Sequence, residues 1–507
     1  MTALDSNSTV AVVGAGTMGQ GIAQVALLAG HRVLLHDALP GRAGAAADGV
    51  GGRLDRLVAK GRLSPADHKA ALDRLLPVES AADLADSALV VEAVVEDLAV
   101  KQQLLAGLEA VVGDGCLLAT NTSSLSVTAV AGGLRVPGRL VGLHFFNPAP
   151  LLPLVEVVAG AASDPAAVTA AFDTAAAWGK TPVRCTDTPG FLVNRIARPF
   201  YAEALRVYEE RAADPATIDA LLSESGGFAM GPFALMDLIG QDVNEAVTRS
   251  VWEAFFRDPK FTPSLAQRRL VESGRLGRKS GRGWFPYEHG PGAAEPAPEP
   301  HTAAPAAAPE YVTVRGDLGS ARVLTELAEA AGIEVRREAG AAAGRGTLVL
   351  PGGTSLHLAD GRLPGDPAIQ FDLALDYRTA ARVGIAPSAG VHAGAVAEAT
   401  GLFQAMGKKV SVVRDVPGMV VARTVALLVD LAMDAVAKEV ASGHDVDTAM
   451  RLGVNYPLGP LEWGERLSAA YVRDLLDGLH AWYPTGRYAP CTELRRRAAA
   501  AEGVISS

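Results

Sequence analysis

Four polar side chains are of the types needed to oxidise an alcohol: Ser123 in "ATNTSSLS", His144 and Glu156 in "LVGLHFFNPAPLLPLVEVV", and Asn194 in "TPGFLVNR". Taking a hydride from a carbinol carbon requires a base for the hydroxyl proton and a donor for the carbonyl oxygen that forms. Histidine serves as both, and a carboxylate on its other ring nitrogen fixes the tautomer. A serine hydroxyl and an asparagine amide hold the same oxygen by hydrogen bonds. Taken singly, each residue has a plainer reading. Ser123 suits a helix cap, His144 a satisfied core histidine, Glu156 a strand residue facing water, and Asn194 a turn of helix. Position favours the catalytic set, because Ser123 and His144 follow two successive apolar, strand-like runs. Ligands of doubly wound sheets bind beyond the carboxyl ends of such strands.

A second constellation lies at the N-terminus. "VAVVGAGTMGQG" holds Gly14-x-Gly16-x-x-Gly19 between an apolar run and a helical stretch. Such glycines permit a tight turn and let the backbone approach a pyrophosphate at the helix N-terminus. The motif alone is weak, but "HRVLLHD" supplies a second strand ending in Asp37, where a carboxylate can bind both ribose hydroxyls. The same carboxylate repels a 2′-phosphate, so NAD is expected rather than NADP. The plainer alternative is a structural turn with a capping aspartate.

The elements that must position these groups follow from periodicity. Up to about residue 186, strands alternate with helices, which implies parallel βαβ units and a doubly wound sheet. From 187 to 286 apolar residues recur at helical spacing. Residues 287–309 are Pro/Ala-rich and read as an exposed linker. Residues 310–408 return to strand-helix-strand without a glycine-rich phosphate loop. The tail, 409–507, repeats the first helical region: "PGFLVNRIARPF" at 189–200 matches "PGMVVARTVALL" at 417–428. Asp219 and Asp447 stand at that same offset, as do Gly231-Pro232 and Gly459-Pro460. Asn194 becomes Ala422 in this second copy, so one active site per chain is expected, with the second half structural.

Bulk properties bound the partners. A chain of 507 residues with net charge −10 gives no basic surface for nucleic acid or anionic membrane. Three scattered cysteines form neither a metal motif nor a disulfide framework. The N-terminus lacks a signal-peptide pattern, no apolar run is long enough to span a bilayer, and a cytoplasmic location is expected.

Together, "GAGTMGQG", "VVEAVVEDLAVKQQL", "TNTSSLS", "GLHFFNPAPLLPLVEVV", "TPGFLVNR" and "GRLGRKSGRGWF" resemble the L-3-hydroxyacyl-CoA dehydrogenase family in the family's order over residues 10–286. The tail is similar to a second copy of the family's helical domain. The resemblance implies a Rossmann-type NAD-binding domain, an all-α dehydrogenase domain, a small degenerate α/β segment and a second all-α copy. It implies that His144 is the base and Glu156 its partner, with Ser123 and Asn194 on the substrate oxygen. Thr17, Met18, Glu96, Lys101, Asn147 and Lys279 join the three glycines and Asp37 at the cofactor. It implies an acyl-CoA substrate and no metal, and it is compatible with self-association. The tandem arrangement is similar to the bacterial branch acting on 3-hydroxyadipyl-CoA, an intermediate of phenylacetate breakdown, with 3-hydroxybutyryl-CoA of short-chain fatty acid metabolism as the alternative. Rival readings fit less well. Dehydrogenases of small hydroxyacids rely on a catalytic lysine, a non-catalytic binder would lose part of the Ser-His-Glu-Asn set, and no enoyl-CoA hydratase motif is present.

Overall fold

The computed structural model describes residues 3–287, 298–338, 346–363 and 367–503. Packing divides the chain into two compact units: Met1–Arg195 with Lys438–Val454, and Ile196–Ala437 with Asn455–Ser507.

The first unit is built on an eight-stranded sheet: β1 Thr9–Val13, β2 Arg32–His36, β3 Leu75–Val78, β4 Leu89–Glu92, β5 Leu117–Thr120, β6 Leu140–Phe145, β7 Leu154–Ala159 and β8 Thr181–Thr186. Their order is β3-β2-β1-β4-β5-β6-β7-β8, reversing direction after β1 as doubly wound sheets do. Only the β6–β7 pair is antiparallel. Central strands are buried on both faces, which is why "VAVV" and "LVV" are continuous apolar runs rather than alternating ones. The edge strands β3 and β8 carry weaker apolar runs and were not singled out by the sequence.

The second unit holds a smaller sheet: β9 Tyr311–Arg315, β10 Glu334–Glu338, β11 Thr347–Val349, β12 Ser355–Leu358, β13 Ala368–Phe371, β14 Arg382–Pro387 and β15 Lys409–Val412, in the order β10-β9-β11-β12-β13-β14-β15. It repeats the far end of the first sheet. β13–β14 is antiparallel and β14–β15 parallel, as in β6–β7 and β7–β8. Strand starts 140, 154 and 181 recur at 368, 382 and 409, the same offset that relates the helical copies. The duplication therefore reaches further back than the matching text at 189 and 417. Backbone geometry repeats too: Phe191 and Met419 sit at φ 49° and 47°, and Arg211 and Glu439 at 56° and 54°. Left-handed conformations cost non-glycine residues roughly 1–2 kcal/mol, so their recurrence marks inherited geometry.

The helical copies exchange one element each. In the first unit, helix Gly443–Gly453 from the second copy packs on β7 and β8, and Thr186 N donates to Val440 O at 2.9 Å. In the second unit, the counterpart Leu221–Ser225 from the first copy packs on β14, with Leu375 N donating to Ser225 O at 2.9 Å. Also within the second unit, helices Arg198–Glu209 and Val421–Ala437 meet around a buried Glu203. It receives Arg423 Nε at 2.9 Å, Arg487 Nε at 2.8 Å and Tyr488 Oη at 2.7 Å. Burial alone would push Glu203 up, but the Arg487 and Arg423 guanidiniums outweigh it and hold its carboxyl at about 2.

Of the stretch expected as a linker at 287–309, residues 288–297 lie outside the described residues. Residues 298–309 form no helix or strand, and Ala303 N donates to Val410 O at 2.8 Å. Among the described residues no helix is long and apolar enough to cross a membrane.

Candidate active site

The glycine-rich turn follows β1 directly. Gly14 has φ +105°, and a Cβ there would lie 2.5 Å from Ala93 O. A Cβ on Gly19 would lie 1.7 Å from Gly14 O, so helix Thr17–Leu28 can start this close to the strand only with glycine there. A Cβ on Gly16 would meet nothing within 4 Å, and no side chain caps this helix. An open, uncapped helix N-terminus suits an anion such as a pyrophosphate. Asp37, just past β2, braces the turn: its Oδ2 accepts from Ala15 N at 2.8 Å and its Oδ1 from Leu39 N at 3.0 Å. These residues fit a dinucleotide. Thr17 is exposed and Met18 half-buried at the start of the same helix.

The second cluster lies where β5 and β6 end. His144 and Glu156 face each other as register partners across β6 and β7, and His144 Nδ1 lies 2.6 Å from Glu156 Oε2. Both are buried, at 5% and 0% exposure, so water does not compete for this bond. Glu156 Oε1 accepts from Leu192 N at 3.1 Å and Val193 N at 2.8 Å, tying the carboxylate to the helical turn that carries Asn194. Three donors thus fix the carboxylate. With Nδ1 as the donor to Glu156, the lone pair is left on Nε2. Phe146 and Phe191 flank the imidazole, with ring centroids 4.6 and 5.8 Å away.

Ser123 is held by Glu96 rather than acting as a helix cap. Glu96 Oε1 accepts from Ser123 N at 2.9 Å, Thr122 Oγ1 at 2.7 Å and Ser124 N at 3.0 Å. Burial would raise the Glu96 carboxyl, but the Thr122 hydroxyl, the Lys101 ammonium and these N–H groups together keep it below the usual carboxylate range. Lys101, 1% exposed, lies 2.6 Å from Glu92 Oε1 and 3.3 Å from Glu96 Oε2. It is not on a solvated helix face. Sequence reasoning missed Glu92, the fully buried anchor of this chain, which also accepts from Thr120 Oγ1 and Val94 N, both at 2.7 Å. It missed Asn121 as well, whose Oδ1 accepts from Phe145 N at 2.8 Å and couples the ends of β5 and β6. The signal available was a charged or amide residue ending an apolar strand.

Met18, Glu96, Ser123, His144, Asn147 and Asn194 share the wall of one open cleft of about 330 Å³. Lys279 belongs to the second unit, where its Nζ lies 2.6 Å from Asp242 Oδ1. Helix Gly443–Gly453 reaches the same region of the first unit, which nothing in its local sequence announces. A Cβ on Gly453 would lie 2.6 Å from Leu154 Cδ2, 3.1 Å from Val193 Cγ2 and 3.7 Å from Phe146 Cζ.

Comparison with known proteins gives concordant matches. A family model described as "3-hydroxyacyl-CoA dehydrogenase, NAD binding domain" matches residues 9–188. Its C-terminal domain counterpart matches twice, at 190–287 and 418–503. A "3-hydroxybutyryl-CoA dehydrogenase reduced Rossmann-fold domain" matches 354–417. The chain is 43% identical to 3-hydroxyadipyl-CoA dehydrogenase of Escherichia coli over 98% of its own length and 99% of the relative's. It is 39% identical to a 3-hydroxybutyryl-CoA dehydrogenase of Mycobacterium tuberculosis over 56% of its own length and 99% of that chain. A crystal structure of 3-hydroxybutyryl-CoA dehydrogenase from Escherichia coli superposes with a TM-score of 0.88 at 40% identity, covering 99% of this chain and 100% of that one.

Proposed function

Because the chain belongs to the 3-hydroxyacyl-CoA dehydrogenase family of NAD-dependent oxidoreductases, we propose that His144 is the base that oxidises a (3S)-3-hydroxyacyl-CoA to the 3-oxoacyl-CoA. The observation that carries this is the 2.6 Å His144–Glu156 bond, buried on the wall of the cleft that also takes in Met18 of the nucleotide-binding helix.

Gly14, Gly16 and Gly19 would hold NAD at the helix N-terminus, with Asp37 towards its ribose, and bound NAD would supply the hydride acceptor. His144 Nε2 takes the hydroxyl proton as the C3–H bond breaks, and Glu156 stabilises the imidazolium that results. Ser123 and Asn194 donate to the oxygen as it becomes a carbonyl. The two phenyl rings exclude water, which strengthens these interactions. Glu96, anchored through Lys101 to Glu92, holds Ser123 in place, and Thr17, Lys101 and Asn147 complete the cofactor side.

We further propose 3-hydroxyadipyl-CoA as substrate and phenylacetate breakdown as its pathway. Support comes from the relative that matches both copies from end to end. 3-Hydroxybutyryl-CoA is the second reading, favoured by the description of the solved structure. A cytoplasmic location accords with three unpaired cysteines. NADH formation with the two substrates side by side, for wild type and His144→Gln, tests both assignments. Turnover confined to the wild type supports the dyad, and the faster substrate identifies the preferred acyl chain. A fully active variant returns His144 and Glu156 to a structural role.

A further inference from the structure

The second unit holds a cavity of its own, and we propose that it binds a small organic phosphate. The cavity, of about 250 Å³, lies where the loop after β9, the β13–β14 connection and helix Pro460–Leu467 meet. Two of these elements have counterparts in the first copy. Ala374–Arg378 correspond to Phe146–Pro150, the connection after His144, and Arg466 corresponds to Leu238. The catalytic groups themselves are gone: Asp372 stands in place of His144, Gly384 in place of Glu156 and Ala422 in place of Asn194. The cavity therefore carries none of those groups.

Its charge has changed as well. Arg322, Arg378 and Arg466 line it, against the carboxylates of Glu326 and Asp376. Arg378 donates to Glu326 at 2.8 Å. Arg322 and Arg466 are exposed at its rim, and their side chains make no hydrogen bond or ion pair among the described residues. Ser320 adds a hydroxyl, on the short turn Gly319–Ala321 that runs into helix Val323–Ala330. Unpaired guanidiniums are two-pronged donors that match phosphate oxygens. The volume is below the roughly 300–1,000 Å³ of common small-molecule sites, so a phosphate with a sugar-sized body fits and a dinucleotide does not. The loop Gly316–Ser320 also lacks the glycine spacing of the first unit.

Calorimetric titration of the full chain with ribose 5-phosphate, with ribose as the neutral control, tests this. Expected is saturable binding of the phosphate only, weakened about tenfold or more in an Arg322→Gln/Arg466→Gln double variant that still forms NADH at the wild-type rate. Adenosine 3′,5′-bisphosphate, the phosphate end of CoA, is the second probe. If the double variant loses part of its binding and ribose 5-phosphate binds more weakly, the phosphate comes from CoA; the reverse order means a free sugar phosphate. No heat with any phosphate up to millimolar concentration, or binding undiminished in the double variant, overturns the proposal.

Discussion

At the same rung of two related sheets stand His144 facing Glu156 and Asp372 facing Gly384. In the first, the carboxylate is on β7 and does two things, holding the imidazole and capturing Leu192 N and Val193 N. In the second, the carboxylate follows β13 and captures Val420 N at 3.0 Å, Val421 N at 2.8 Å and Ala422 N at 3.0 Å, the corresponding helix start of the second copy. Anchoring a helix N-terminus with a buried carboxylate is therefore common to both halves. On the proposed mechanism, catalysis needs the histidine added on the opposite strand. The duplicate kept the scaffold and lacks the histidine.

The largest test of this contrast pairs the two positions. His144→Gln is expected to lower kcat by about 10²–10⁴-fold, the usual worth of a general base, whereas Asp372→Asn should leave kcat within about twofold. Equal effects on turnover would erase the distinction between the halves. Next comes the joint between the helical copies. Glu203→Ala strands two buried guanidiniums and is expected to cost about 3–5 kcal/mol in urea unfolding, with modest change in KM. Since Glu203 is held at about 2 in the folded chain, below its ordinary 4.5, its contribution is present above pH 4.5 and is lost as pH falls towards 2. Wild type should thus lose more stability than Glu203→Gln over that interval, and parallel curves would argue against the ion pair.

A smaller effect sharpens the role of the exchanged helix. Gly453→Ala crowds Leu154, Val193 and Phe146, at a cost of about 1–3 kcal/mol in stability and a fall in kcat/KM for the acyl-CoA. Unchanged kinetics would leave the second copy purely structural, as the sequence suggested. The smallest effect is a pH dependence at Asp372. Burial outweighs its four N–H donors and pushes the carboxyl up to about 6 from an ordinary 3.8. A raised acid is most favourable below pH 3.8, and that advantage fades as pH rises through about 6. Thermal melts of wild type and Asp372→Asn should diverge across that window, and melts that stay a fixed distance apart would count against it.

Much of this was legible in the sequence because the chemistry is local. The glycine turn is a single short stretch, and His144 and Glu156 lie on adjacent strands joined by a short connection. The βαβ order followed from apolar runs, and the helical duplication from an ungapped match. The early part of the duplication was not legible. "LVGLHFF" and "AIQFDLA" share little once the base is lost, and only strand register aligns them. Nor could periodicity tell which sheet a helix covers, since it marks an apolar face but not what packs on it. Glu92 was missed because a carboxylate at a strand end reads as exposed until Lys101 is found buried beside it.

The exchange of helices also fixes where the polypeptide can be divided. Severed between residues 288 and 297, neither piece carries a whole unit. Residues 1–287 lack the helix that covers β7 and β8, and residues 298–507 lack the turn that covers β14. Two such fragments, expressed from separate genes, would have to meet before either sheet is covered. Each sheet is thus completed by an element from the other half of the chain.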